Sequence, residues 1–164
     1  MGAKVIIALH GIANCGKSSV IKEIDKIIQQ TYSVEIKKYA EQGFKAPQEN
    51  RDIVKIYELT HNGKKLQIGI ESQGDPNSRI FKSLPIFKKI NCDIIICATR
   101  SSGKTCDVVM DTGYEIFWIQ QSSVSTKNIK TLDNILTSLI DAKQKKMVDL
   151  LKYIFDSTVN KLTE

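Results

Sequence analysis

The segment Gly11-Ile12-Ala13-Asn14-Cys15-Gly16-Lys17-Ser18 constrains this chain more than any other. It has the form G-x-x-x-x-G-K-[ST]. The run before it, Val5-Ile6-Ile7-Ala8-Leu9, is almost continuously apolar, as in a strand buried on both faces. After it, Val20, Ile24, Ile27 and Ile28 recur at helical spacing, with Lys and Glu opposite. Strand, tight loop and helix therefore follow one another within thirty residues. The chemistry suits an anion. Gly11 and Gly16 allow the curvature that turns successive N–H groups inward, and the helix presents its positive end to the same point. Lys17 is expected to reach the β- and γ-phosphates of a nucleoside triphosphate, and the Ser18 hydroxyl to ligate Mg²⁺. Ile12, Ala13, Asn14, Cys15 and Ser19 complete the expected nucleotide contacts.

Further along, buried-strand runs alternate with helical spacing. Val34 to Tyr39 reads as a second strand, and the polar stretch Glu41 to Arg51 as a mobile loop. Asp52 to Thr60 and Lys65 to Ile70 flank Asn62-Gly63, a strong hairpin signal. Ser78 to Ile90 has helical spacing that Pro85 is expected to kink or split. Asp93 to Ala98 is another buried strand. Thr105 is expected to cap a short helix ending at Gly113, and Tyr114 to Ile119 to form the last strand. From Asn128 onward the pattern is amphipathic and helical, with a joint or an exposed turn at Lys143 to Lys146. The alternation predicts a single α/β domain over residues 1–164, a mostly parallel sheet flanked by helices with an inserted β-hairpin. Ligands of such sheets bind beyond the C-terminal strand ends.

The letters Gly11 to Ser18 and their setting resemble the P-loop NTPase superfamily, in its three-layer architecture. The resemblance covers the first thirty residues well and implies an NTP–Mg²⁺ site. Such a site usually takes an acid at the end of a second buried strand. Glu71 directly follows one such run, and Asp75 lies in the turn-rich segment after it, so these two join Ser18 as candidate metal ligands. The guanine-reading Asn-Lys-x-Asp is absent, and Thr126-Lys127-Asn128 is a poor substitute, so ATP is expected ahead of GTP.

A second stretch, Ala98-Thr99-Arg100-Ser101-Ser102-Gly103-Lys104-Thr105, satisfies the looser form of the motif. Only one strand run follows it, too few for a nucleotide-binding core. It is similar to the Thr-Arg-x-x-Gly-x-Thr segment of thymidylate kinases, although there the segment follows an earlier strand. Arg100 and Lys104 are thus candidates to grip a phosphate of the NTP or of a small phosphorylated acceptor; the alternative is a solvated loop with two cations. Arg79 can stabilise transferring charge or pair with a surface acid. The expected catalytic set is Lys17, Arg79 and Arg100.

Composition narrows the classes. The net charge of +6 suits phosphate-bearing partners and equally an ordinary solvated surface. No basic block reads as a nucleic-acid tail, so a nucleic-acid partner is not expected. No apolar run approaches the ~20 residues of a membrane span, and the N-terminus lacks a signal-peptide pattern. A cytoplasmic protein is expected, with Cys15, Cys92, Cys97 and Cys106 reduced and Cys92 and Cys97 in the core. His10 and His61 read as structural or solvated. The leading expectation is a small kinase-like phosphotransferase. The alternatives are an ATPase or nucleotide-dependent switch acting on a protein partner, and a binding module with little turnover; a homo-oligomer is compatible with each.

Overall fold

The computed structural model describes residues 2–37, 52–123 and 133–164. The expected mobile loop from Glu41 to Arg51, the Thr126-Lys127-Asn128 segment and the expected start of the last helix at Asn128 lie outside them. In chain order the elements are β1 (Val5–His10), α1 (Lys17–Thr31), β2 (Ser33–Ile36), β3 (Val54–His61), β4 (Lys64–Glu71), α2 (Ile80–Lys89), β5 (Ile94–Thr99), α3 (Lys104–Met110), β6 (Glu115–Gln120) and α4 (Asp133–Thr163).

The strands form one six-stranded sheet in the order β2-β3-β4-β5-β1-β6. β1 runs parallel to β5 and β6, and β4 parallel to β5. β3 is antiparallel to both β4 and β2. The sheet is therefore mixed, and "mostly parallel" overstates it. The hairpin is no separate insertion. Asn62 and Gly63, with φ of 50° and 74°, make the two-residue turn, and β4 then joins the parallel part of the sheet directly.

Strand alternation sorts the core into two layers. Val5, Ile7 and Leu9 pack with Val20, Ile21, Ile24 and Ile28 of α1 and Leu151, Phe155 and Val159 of α4. Ile6 and Ala8 face the other way, with Ile80, Leu84 and Phe87 of α2 and Val109 of α3. The result is an α/β sandwich of three layers. Cys92 and Cys97 are fully buried, and burial pushes the Cys92 thiol up to about 12. Among the described residues, no helix is long and apolar enough to cross a membrane.

Three local expectations need correction. Pro85 does not split α2, which runs through it as one helix. Both Pro85 and Phe81, whose carbonyl loses a donor, lie on the exposed side of the helix. Gly103, not Thr105, occupies the cap position of α3; the Thr105 hydroxyl accepts from the Arg100 N–H at 3.0 Å. Lys143 to Lys146 is neither joint nor turn, because α4 is one helix of 31 residues.

Candidate functional site

β1 and β5 are neighbours, yet the helix after β1 lies on one face of the sheet and the helix after β5 on the other. Their loops diverge and leave a crevice at the C-terminal strand ends. A cavity of about 470 Å³ occupies it, lined by Asn14 to Ser19, Asp52, Ser72 to Asp75 and Ala98.

The Gly11–Ser18 loop forms one wall. Lys17 is buried and curls back over the loop, its Nζ donating to the carbonyls of Gly11 at 2.9 Å and Ile12 at 2.7 Å. Helix α1 starts after Gly16 with no side-chain cap and no acid in its first turn. Its leading N–H groups are therefore left to an acceptor from outside the helix. Cys15 is enclosed, at 3% exposure, because its sulfur is tucked under the loop 3.7 Å from Lys17 Nζ.

The opposite wall holds a residue the sequence reading passed over. The Ser18 hydroxyl donates to Asp52 Oδ1, and Ser72 Oγ donates to the same oxygen at 3.1 Å. Ser72 is itself fixed to Ile53, accepting from its N–H at 2.8 Å and donating its own N–H to the Ile53 carbonyl at 3.0 Å. Asp52 precedes β3, whose start aligns with the end of β4. Counting outward from the Asn62-Gly63 turn reaches this position, so the hairpin signal held the clue.

Glu71 goes elsewhere. It shares the alternation of Gly69, which packs against Phe87 of α2, so its carboxylate turns to the α2 side. There it is fully buried, takes two hydrogen bonds of 2.8 Å from Arg79 and accepts from the Ser83 hydroxyl and the Gln73 N–H. Neither Glu71 nor Arg79 lines the cavity. The pair expected to serve metal and transferring charge instead ties β4 to α2, because a buried carboxylate needs a matched cation.

Asp75 and Arg100 are brought together. Asp75 lines the cavity and its Oδ1 lies 3.5 Å from Arg100 NH1. Gly74 makes this possible by lying against β5; a Cβ there would be 2.1 Å from the Ala98 carbonyl oxygen. Lys104 is exposed and does not line the cavity. His10 stacks edge-on against Trp118, and His61 against Tyr32.

For Mg²⁺, the cavity offers the Ser18 hydroxyl with the Asp52 carboxylate, and Asp75 across from them. These hard oxygen donors fit that ion. Among the described residues, no group of three or more His, Cys, Asp and Glu side chains is placed to hold a metal by itself. Such a set suits an ion that keeps several waters and takes other oxygens from phosphate.

The class that fold and site define is thus an α/β protein with a polar cavity at the C-terminal edge of a mixed sheet. No protein-family model matches the chain, and no curated protein matches it. Among solved structures, the crystal structure of APE1195 is similar at 10% identity, covering 98% of this chain and 78% of that one, with a TM-score of 0.37. A likeness at that level carries no argument about function.

Proposed function

We propose that the chain binds a nucleoside triphosphate, ATP ahead of GTP, with Mg²⁺ in the cavity beside the Gly11–Ser18 loop, and transfers its γ-phosphate to a small acceptor. The observation that carries this reading is the pairing of Ser18 with Asp52 next to Lys17 and an uncapped helix start. Donors for phosphate and oxygens for a cation then face one space. Lys17 leaves the Gly11 and Ile12 carbonyls for the β- and γ-phosphates. Ser18 and Asp52 hold Mg²⁺, which neutralises charge on the phosphate oxygens. Arg100, swung from Asp75, is the cation available to an acceptor phosphate or to the transferring group. Lys104, solvent-facing, has the weaker claim. Arg79 leaves the catalytic set and Glu71 the metal set, which becomes Ser18, Asp52 and Asp75.

The test is ATP–Mg²⁺ labelled on the γ-phosphate, offered with a panel of nucleosides, nucleotides and sugars. Label on an acceptor is expected, and Lys17→Ala should remove both binding and transfer. Wild-type protein that binds no ATP–Mg²⁺ overturns the reading. Binding with release of inorganic phosphate alone, stimulated by a protein partner, favours the switch. One observation supports that second reading: α4 reaches back to the loop through Lys143 and Gln144.

A further inference from the structure

Three side chains, each more than 100 residues along the chain from the loop, converge on two carbonyls of Gly11–Ser18. Gln144 Nε2 donates to the Gly16 carbonyl at 3.1 Å. Lys143 Nζ donates to the Cys15 carbonyl at 3.1 Å and to that of Ser122 at 2.7 Å. Gln121, fixed just beyond β6 and 2% exposed, donates to the Cys15 carbonyl at 3.1 Å and to Gln144 Oε1 at 2.7 Å. Gly16 leaves room for this. Its φ is +97°, and a Cβ there would lie 2.2 Å from Gln144 Nε2.

A trans peptide is planar, with its C=O and N–H pointing to opposite sides. Holding the Cys15 carbonyl toward α4 therefore aims the Gly16 N–H away from α4. The Gly16 carbonyl, which also accepts from the Val20 N–H at 3.2 Å, is held by Gln144 as a second donor, and its peptide plane fixes the Lys17 N–H on the opposite side. No residue of α4 lines the cavity, whereas Gly16 and Lys17 do. The two amides so aimed are the loop donors nearest the start of α1.

We propose that Gln144, braced by Gln121 and assisted by Lys143, is a positioning residue that orients the Gly16 and Lys17 amides toward the phosphates of the bound nucleotide. The inference rests on the nucleotide reading above and assigns α4 a part in that site. From Asn134 to Ala142 the helix is exposed except at Leu136, so residues 143 and 144 are where its leading half first meets the loop. The amides of a loop built to hold a chain of phosphates favour ADP and ATP over AMP, and the brace should share that preference.

The experiment measures the Kd of Mg²⁺-bound ATP and ADP, and of AMP, for wild type, Gln144→Ala, Lys143→Met and Lys143→Arg, with ¹⁵N amide shifts of Gly16 and Lys17 in the nucleotide-free proteins. Gln144→Ala should weaken ATP and ADP by about tenfold, the scale of one well-placed hydrogen bond, and leave AMP unchanged. Both amide shifts should move. Lys143→Met should show a smaller loss that Lys143→Arg restores, since arginine still donates to the Cys15 carbonyl. If the wild type binds ATP–Mg²⁺ and Gln144→Ala binds it equally well with both amides unmoved, the positioning role is overturned and the nucleotide reading stands. Equal losses for AMP and ATP also overturn it, because a general loosening of the fold would do that. Wild type that binds no nucleotide overturns the reading beneath it. Should Gln144→Ala not fold, the lysine pair decides alone.

Discussion

Arg79 meets the fully buried Glu71 carboxylate with two hydrogen bonds of 2.8 Å, joining the end of β4 to the start of α2. The two lie eight residues apart on the side of the sheet away from Lys17. Glu71→Ala removes the buried carboxylate that anchors the Arg79 guanidinium to β4 and should cost about 3–5 kcal/mol. The thermal midpoint should fall by roughly 10 °C. Nucleotide affinity of the protein that remains folded should be unchanged, measured well below that midpoint. A selective loss of Mg²⁺ dependence in Glu71→Ala, with stability intact, would return Glu71 to the metal set.

Ser18 and Asp52 carry the opposite expectation. Ser18→Ala and Asp52→Asn should each reduce the gain in ATP affinity on adding Mg²⁺ by at least about tenfold, while affinity in EDTA stays near that of the wild type. The double variant should lose little more than either single one, since the pair acts on one ion. Calorimetric titrations with and without Mg²⁺ supply all four corners of the cycle. Additive losses would separate the two residues.

Gly74→Ala probes the seam between the loop after β4 and the end of β5. The added methyl would meet backbone, the Ala98 carbonyl oxygen at 2.1 Å and its carbon at 2.3 Å, so the loop must lift. A cost of about 1–3 kcal/mol is expected, with Asp75 drawn away from Arg100 and transfer slowed more than ATP binding. Gly69→Ala is the contrast. Its nearest neighbours would be atoms of the Phe87 ring, at 2.8 to 3.0 Å, and it should perturb the α2 side without touching the cavity. Comparing kcat with the Kd for ATP distinguishes the two.

Asp25 and Lys55 form an ion pair of 2.6 Å beneath α1, with Asp25 nearly buried. Burial raises the Asp25 carboxyl above its usual value, and Lys55 opposes the rise. The folded state therefore holds the proton more tightly than the unfolded chain. Asp25 contributes most to stability below its unfolded value, and that contribution is lost as pH rises through the folded one. Lys55→Met should raise the Asp25 carboxyl further, extend the loss to higher pH, and cost about 3 kcal/mol near neutrality. Urea unfolding of wild type, Lys55→Met and Asp25→Asn between about pH 4 and about pH 7 checks the sign: the wild type should lose stability relative to Asp25→Asn as pH rises.

The linear chain determined the parts whose cause is local. Apolar runs bounded by turns produced β1 and β5; a period of 3.6 produced α1; Asn62-Gly63 dictated the hairpin; and Gly16, Lys17 and Ser18 marked one wall of the cavity. Each depends on neighbours a few residues away, which is the range that propensity and periodicity report. Folding in three dimensions decided the rest. Whether Glu71 faces the cavity or α2 depends on strand alternation relative to helices packed later, and β4 could be assigned its faces only once β5 lay beside it. Asp52 is 34 residues from Ser18, and Gln144 is 128 from Gly16, so no local pattern joins either pair. They meet because β3 returns antiparallel to the strand end and α4 packs on α1, placements fixed by burial of the whole sheet.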